Sequence, residues 1–206
     1  MATTLLYLVR HGEQQRAAGD REDPGLGLSA LGAEQARYLG GRLAKVHFDV
    51  VRHSPARRAA ETAAIVSEYL PGVPVRESDL LTDLTPVPVP GQEESVPIQY
   101  RWFLETVAEE ERDLGGSRLD AAVARLAVST DADRCELLVT HNFVIGWFVR
   151  HVLAAPWWRW IGLNQFNCAL TIIKVSDGEP PALVAFNDIG HLPVDRRGEP
   201  PVRLQS

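Results

Sequence analysis

Five short runs of the chain, residues 4–9, 48–51, 136–140, 169–175 and 182–186, are rich in Val, Leu and Ile and almost continuously apolar. A strand with one wet face alternates apolar and polar residues, whereas an unbroken apolar run has both faces covered. A weaker sixth candidate covers 73–76. Stretches with helical spacing separate these runs. Leu28 and Ser29 form an entry and cap ahead of Ala36, Leu39, Leu43 and Val46. Ser54-Pro55 opens a second helix, with Ser54 as cap, Pro55 at the first helical position, and Ala59, Ala63, Val66 and Leu70 along one side. Ser117-x-x-Asp120 resembles a capping box before Leu119, Val123 and Leu126, and a last helix is predicted over about 142–153. Strand–helix alternation of this kind predicts an α/β fold: a three-layer α/β/α sandwich around a central, mostly parallel sheet.

The length suits one domain, 1–206, with no internal repeat. Residues 85–97, TPVPVPGQEESVP, read as an extended loop or lid, and 85–130 as that loop plus a helical insertion within the domain. Residues 193–206 read as a surface tail. The net charge of −6 argues against a nucleic-acid binder, although an average leaves room for a local basic pocket. The longest later apolar run, 143–149, falls far short of the ~20 residues that span a bilayer, and no signal peptide pattern is visible. Cys135 and Cys168 sit in apolar runs without metal-ligand spacing and read as buried free thiols. A cytoplasmic protein with no membrane or nucleic-acid partner is expected.

Two of the strands end in the same way. LLYLV runs into Arg10-His11, and ELLVT runs into His141-Asn142. Ligands of an open α/β sheet collect at the carboxyl ends of its strands, so two strands deliver histidines to one edge. In HSPARRAAETA, Arg58 and Thr62 are four apart and share a face. An arginine near a helix N-terminus opposes the dipole, and a bound anion is one way to compensate it. Arg57 reads as a solvated neighbour. Arg10, His11, Arg58 and His141 together would make a cationic cage suited to phosphate oxygens, with a neutral imidazole as nucleophile toward phosphorus.

RHGE at residues 10–13 resembles the signature of the histidine phosphatase superfamily, which includes the phosphoglycerate mutases. LSALGAEQARYLG, SPARRAAETA, VTHNFVIGWFV, NCALTII and FNDIGHL resemble the family's further segments, in the family's order and over most of the chain. The resemblance implies that His11 is the nucleophile that becomes phosphohistidine. It implies that Arg10 and Arg58 hold the phosphoryl oxygens and that His141 donates to them in the transition state. Ser54 and Thr62 look structural, and Glu13 suits either orienting the pocket or starting a helix. No cofactor or metal is implied, and the six histidines show no H-E-x-x-H spacing.

The pattern departs from the family in places. An acid after the third strand usually protonates the leaving oxygen. Asp83 is the best positional match, with Glu93 and Glu94 as fallbacks. Ala17 stands where many members carry an asparagine, leaving Arg16 or Gln14 to reach the phosphate. His53 replaces a common serine and suits either the pocket edge or a strand end. The short Pro-rich loop and WWRWIGLNQFN resemble the phosphatase branches, including the protein-phosphatase branch best known from mitochondria, whose N-terminal anchor is not seen here. Trp157, Trp158 and Trp160 suit core packing, a dimer contact or a pocket wall. A phosphomonoesterase is expected, with a mutase-type phosphoryl transferase or a catalytically quiet phospho-ligand binder as alternatives. The substrate would be a small phosphorylated molecule or a phosphopeptide, and a homodimer would be ordinary.

Overall fold

A computed structural model describes residues 2–15 and 25–199. Arg16, Ala17 and the end of the tail beyond residue 199 lie outside the described residues. The chain runs β1 (Thr3–Arg10), α1 (Ala30–Leu43), β2 (Val50–His53), α2 (Arg57–Ser67), β3 (Val75–Glu77) and β4 (Thr85–Val87). It continues through α3 (Ile98–Glu105), β5 (Arg112–Leu114), α4 (Ser117–Leu126), β6 (Arg134–Thr140), α5 (Asn142–Val152), β7 (Leu170–Ser176) and β8 (Ala182–Asp188). Six strands form one sheet in the order β3-β2-β6-β1-β7-β8, and β4 and β5 form a separate pair. β1, β2, β3 and β6 run parallel, while β7 and β8 join antiparallel.

The unbroken apolar runs have a direct cause. Leu6 and Leu8 of β1 pack with Val144, Ile145 and Phe148 of α5 and Leu119 and Val123 of α4. Val9 packs the other way, with Leu39 and Leu43 of α1 and Ala59, Ala63 and Val66 of α2. β6 does the same, with Leu138 on the first side and Leu137 and Val139 on the second. Both faces of the central strands are therefore covered, and the expected three-layer sandwich is what forms.

Ser29 caps α1 as expected, accepting the Gly32 N–H at 3.0 Å. The other two helix starts differ from expectation. α2 begins at Arg57, and Ser54 is not its cap. α4 begins at Ser117 itself, after Gly116 in the left-handed conformation (φ 74°). Its cap comes from β5: the buried Asp113 carboxylate accepts the N–H groups of Arg118 and Leu119 at 3.0 and 2.9 Å. Asp120 instead accepts the Trp147 indole N–H at 2.9 Å. β2 is shifted toward Arg52 and His53, since Arg52 pairs with buried Glu136 on the neighbouring strand at 2.9 Å. That cross-strand pair lets charged residues continue a strand that hydropathy alone would end. Residues 85–97 are not loop throughout, because Thr85 and Val87 are buried in β4, which pairs with β5. Trp160 is buried and meets Phe143 edge to face at 4.9 Å, and Trp157 meets Trp147 in the same way at 5.8 Å, so both serve the core.

One close approach locks β1 to α1. A Cβ on Gly32 would stand 2.1 Å from the Glu13 carbonyl oxygen and 2.7 Å from its nitrogen. Backbone cannot yield as a side-chain end can. Gly32→Ala should therefore lower stability by about 3 kcal/mol despite alanine's better helix propensity. Thermal denaturation should show a Tm drop of roughly 6–12 °C for a chain of this size.

Candidate active site

Strand register brings the two histidines together. Arg10 of β1 pairs with Thr140 of β6, and the His11 N–H donates to the Thr140 carbonyl at 2.9 Å. His11 and His141 thus leave neighbouring parallel strands at the same level, with ring centroids 5.2 Å apart. β2 supplies the third partner, because the Ser54 N–H donates to the Val139 carbonyl at 3.0 Å. α2 then places Arg58 over both rings. Its Nε donates to His11 Nε2 at 3.1 Å, and its Nη2 lies 3.3 Å from His141 Nδ1. His11, Arg58 and His141 are each at most 3% exposed.

The ring protons follow from the partners. His11 Nδ1 lies 2.7 Å from the Gly12 carbonyl oxygen. A carbonyl only accepts, so Nδ1 carries the proton and Nε2 holds the lone pair. Burial pushes the His11 pKa well below its ordinary 6.5, and His141, Arg10 and Arg58 push it further down. The ring is neutral at neutral pH, with a lone pair directed at Arg58. Ser54 Oγ accepts the Ala56 N–H at 3.3 Å and lies 2.7 Å from His141 Nε2. His141 Nδ1–H faces the Asp83 carboxylate at 3.1 Å.

Asp83 completes the cluster. Its carboxylate lies 2.5 Å from Arg58 Nη2, and the side chain is 30% exposed. Burial alone would raise its pKa, but His141, Arg58 and His11 outweigh that and hold the carboxyl well below the usual range. Arg58 Nη1 is buried with no hydrogen-bond partner among the described residues. A buried guanidinium nitrogen without a partner calls for an acceptor. Arg58, Asp83 and Ser54 line a cavity of about 700 Å³.

The supports are local. Thr62 Oγ1 accepts the Gly12 N–H at 3.0 Å and donates to the Arg58 carbonyl at 2.7 Å, tying α2 to the residue after His11. Glu13 accepts the Ser29 hydroxyl at 2.8 Å, so it serves the start of α1. Arg10 Nη1 donates to the Gln165 carbonyl at 2.7 Å. Asn142 Oδ1 accepts the Gln165 N–H at 2.8 Å, and Asn167 Nδ2 donates to the His11 carbonyl at 2.9 Å. Sequence reasoning missed Gln165 and Asn167, whose contribution runs through backbone groups. It also passed over Ser54's bond to His141.

The structure brings His11, Arg58, His141 and Asp83 together, with Arg10 close enough to act on His11. It does not bring Glu93 or Glu94 there. Both are exposed in a short turn, and Glu93 lines a different cavity of about 410 Å³ with Val87 and Leu104. Gln14 forms a bridge with Leu28, and His53 Nδ1–H donates to the Ser54 carbonyl at 2.9 Å, as a strand-closing residue does. Cys135 and Cys168 are free thiols. Burial pushes Cys135 up to about 11 and Cys168 higher still, so neither is a nucleophile at neutral pH. Among the described residues, no helix is long and apolar enough to cross a membrane.

Ser54→Ala leaves the buried His141 Nε2 without a partner and frees the ring to turn. We expect kcat/KM toward an aryl phosphate to fall by about tenfold or more. Ser54→Thr should recover part of that loss, since it restores the hydroxyl.

Residues 6–189 match the model of the histidine phosphatase superfamily (branch 1). The chain belongs to that superfamily. The serine/threonine-protein phosphatase Pgam5, mitochondrial, of Caenorhabditis briggsae is 32% identical over 195 residues, 93% of this chain and 65% of that protein. Its Homo sapiens counterpart is 32% identical over 201 residues, 95% of this chain and 66% of that protein. The chain spans just under two-thirds of the length of these relatives. The alpha-ribazole phosphatase of Shigella flexneri shares the fold, with a TM-score of 0.67 at 21% identity, covering 89% of this chain and 96% of that one.

Proposed function

We propose that this chain hydrolyses phosphomonoesters through a phosphohistidine on His11. The observation that carries this reading is the contact between His11 Nε2 and the buried Arg58 guanidinium, whose Nη1 lacks a partner among the described residues. In the resting site Asp83 occupies Arg58 and His141 as an oxyanion would. An incoming phosphate dianion takes over those donors. Arg58 turns from the imidazole to the oxygens, which releases the Nε2 lone pair for in-line attack on phosphorus. The displaced Asp83 carboxyl now faces two added negative charges, and its pKa rises, so that it takes up a proton from solvent and becomes the donor. The P–O bond to the leaving group breaks as the N–P bond forms, and Asp83 gives its proton to the departing oxygen. Water then attacks the phosphohistidine, losing a proton to the Asp83 carboxylate, and inorganic phosphate leaves. Arg58 and His141 stabilise the equatorial oxygens in both steps.

The test is to quench enzyme mixed with a labelled aryl phosphate. Label should appear on His11 as an acid-labile, base-stable adduct, inorganic phosphate should be released, and chelators should leave the rate unchanged. Isomerised substrate in place of inorganic phosphate would make the protein a mutase. Phosphate or vanadate binding with no turnover would make it a binder. Either result overturns the reading.

A further inference from the structure

Residues 163–166, between the turn Trp157–Trp160 and β7, belong to no helix or strand, yet Gln165 is fully buried. Buried main-chain groups need partners, and where no ladder supplies them side chains must. Two asparagines do so here, reaching in from opposite sides of β1. Asn142 stands directly after His141, on the β6 side. It accepts the Gln165 N–H at 2.8 Å and donates to Asn164 Oδ1 at 2.7 Å. Asn187, in β8, accepts the Phe166 N–H at 2.8 Å. That N–H and the Gln165 carbonyl are the two ends of one planar amide. Fixing the N–H therefore aims the carbonyl, and the carbonyl receives Arg10 Nη1 at 2.7 Å.

Asn187 holds an unusual backbone position. Its φ of 55° lies in the left-handed region, which asparagine tolerates better than most residues. Its own N–H donates to the buried Thr171 Oγ1 at 3.3 Å. The consequence of both anchors falls on Arg10. A free arginine side chain samples many rotamers, and ordering it on binding weakens the complex. A guanidinium fixed before the anion arrives has already met that cost in folding. It has five donors, so the one given to Gln165 does not exhaust the fork.

We propose that Asn142 and Asn187 are positioning residues. They clamp the two successive amides of Gln165 and, through its carbonyl, set the Arg10 guanidinium for the phosphoryl oxygens beside His11. The role of Arg10 rests on the phosphatase reading above, and the clamp adds the groups that aim it.

The experiment measures the dissociation constant of orthovanadate by calorimetry in wild type, Asn142→Ala, Asn187→Gly, Arg10→Ala and the Arg10→Ala/Asn187→Gly pair. Glycine accepts the left-handed backbone, so Asn187→Gly removes the side-chain acceptor and little else. Each asparagine variant should bind vanadate about fivefold or more weakly, as loss of one buried hydrogen bond implies. In the Arg10→Ala background, Asn187→Gly should cost less than about twofold, because the group it positions is gone. A spectroscopic signature separates positioning from general loosening. In ¹⁵N-arginine NMR the Arg10 Nη signals, assigned by their absence from Arg10→Ala, should be resolved in wild type and averaged by rotation in Asn187→Gly. Unchanged vanadate affinity in Asn187→Gly overturns the proposal. So does an equal loss with and without Arg10, or Arg10 signals that do not change. Asn187→Gly decides the matter even if Asn142→Ala does not fold. Wild type that binds vanadate but hydrolyses no aryl phosphate would sink the phosphatase reading and leave the clamp standing, whereas wild type that binds no vanadate would overturn both.

Discussion

His11→Ala should cost at least about 10⁴-fold in kcat/KM toward an aryl phosphate, because it removes the group that the proposed mechanism bonds to phosphorus. That loss corresponds to about 5.5 kcal/mol of transition-state stabilisation. The cage should survive it. Arg58 and His141 keep their contacts with Asp83, and Ser54 still holds His141. The variant should therefore bind vanadate while forming no phosphoprotein. Added imidazole should restore part of the turnover, since a diffusible ring can take the vacated space. Activity within tenfold of wild type, or a phosphoprotein still formed by the variant, would remove His11 from the chemistry. Stability carries a matching signature. The His11 pKa is depressed in the fold, so below about pH 6.5 the unfolded chain binds a proton that the folded chain refuses. This contribution to stability is complete above pH 6.5 and declines as pH falls through that value. His11→Ala should flatten that part of the Tm profile.

Asp83→Asn should separate substrates by leaving group. A nitrophenolate departs without a proton, and its esters should slow by less than about tenfold. An alkyl alkoxide needs protonation, and alkyl phosphates should slow by about 10²–10⁴-fold. Equal slowing of both classes would move the acid elsewhere. The pH dependence of stability has a definite sign here too. Burial favours the protonated carboxyl, but His141 and Arg58 outweigh it and hold the folded pKa below the ordinary 3.8. The fold therefore binds fewer protons than the unfolded chain below about pH 4. The stabilisation is present above pH 3.8 and lost as the pH falls below it, toward the folded value. The asparagine variant lacks that share, and its Tm should fall less steeply between pH 5 and 3.

The central strands and the histidines at their ends were legible because the information is local. Unbroken apolar runs identify strands covered on both faces, and a histidine at the end of such a run sits at the sheet edge by construction. Parallel pairing of β1 with β6 then needs no further signal to place residues 11 and 141 side by side. What local reading missed depends on partners distant in sequence. Ser54 next to a proline has the form of a helix cap, yet its hydroxyl is claimed by His141, 87 residues away. The Ser117-x-x-Asp120 spacing has the form of a capping box, yet Asp113 caps from β5 and Asp120 meets Trp147. Alternating prolines suggested loop, but Thr85 to Val87 gain a strand partner at Arg112 to Leu114, which periodicity cannot reveal. Gln165 was invisible because its main-chain oxygen, and no motif residue, receives Arg10.

The resting contact of Asp83 with Arg58 bears on how turnover ends. Inorganic phosphate departing the pocket meets a rival tethered to the same chain, whose effective concentration is on the order of millimolar or more. Each time the product loosens, that rival can reoccupy the guanidinium before a second phosphate arrives from solution. On the proposed mechanism the enzyme carries its own defence against product inhibition, written into the same aspartate that would protonate the leaving group.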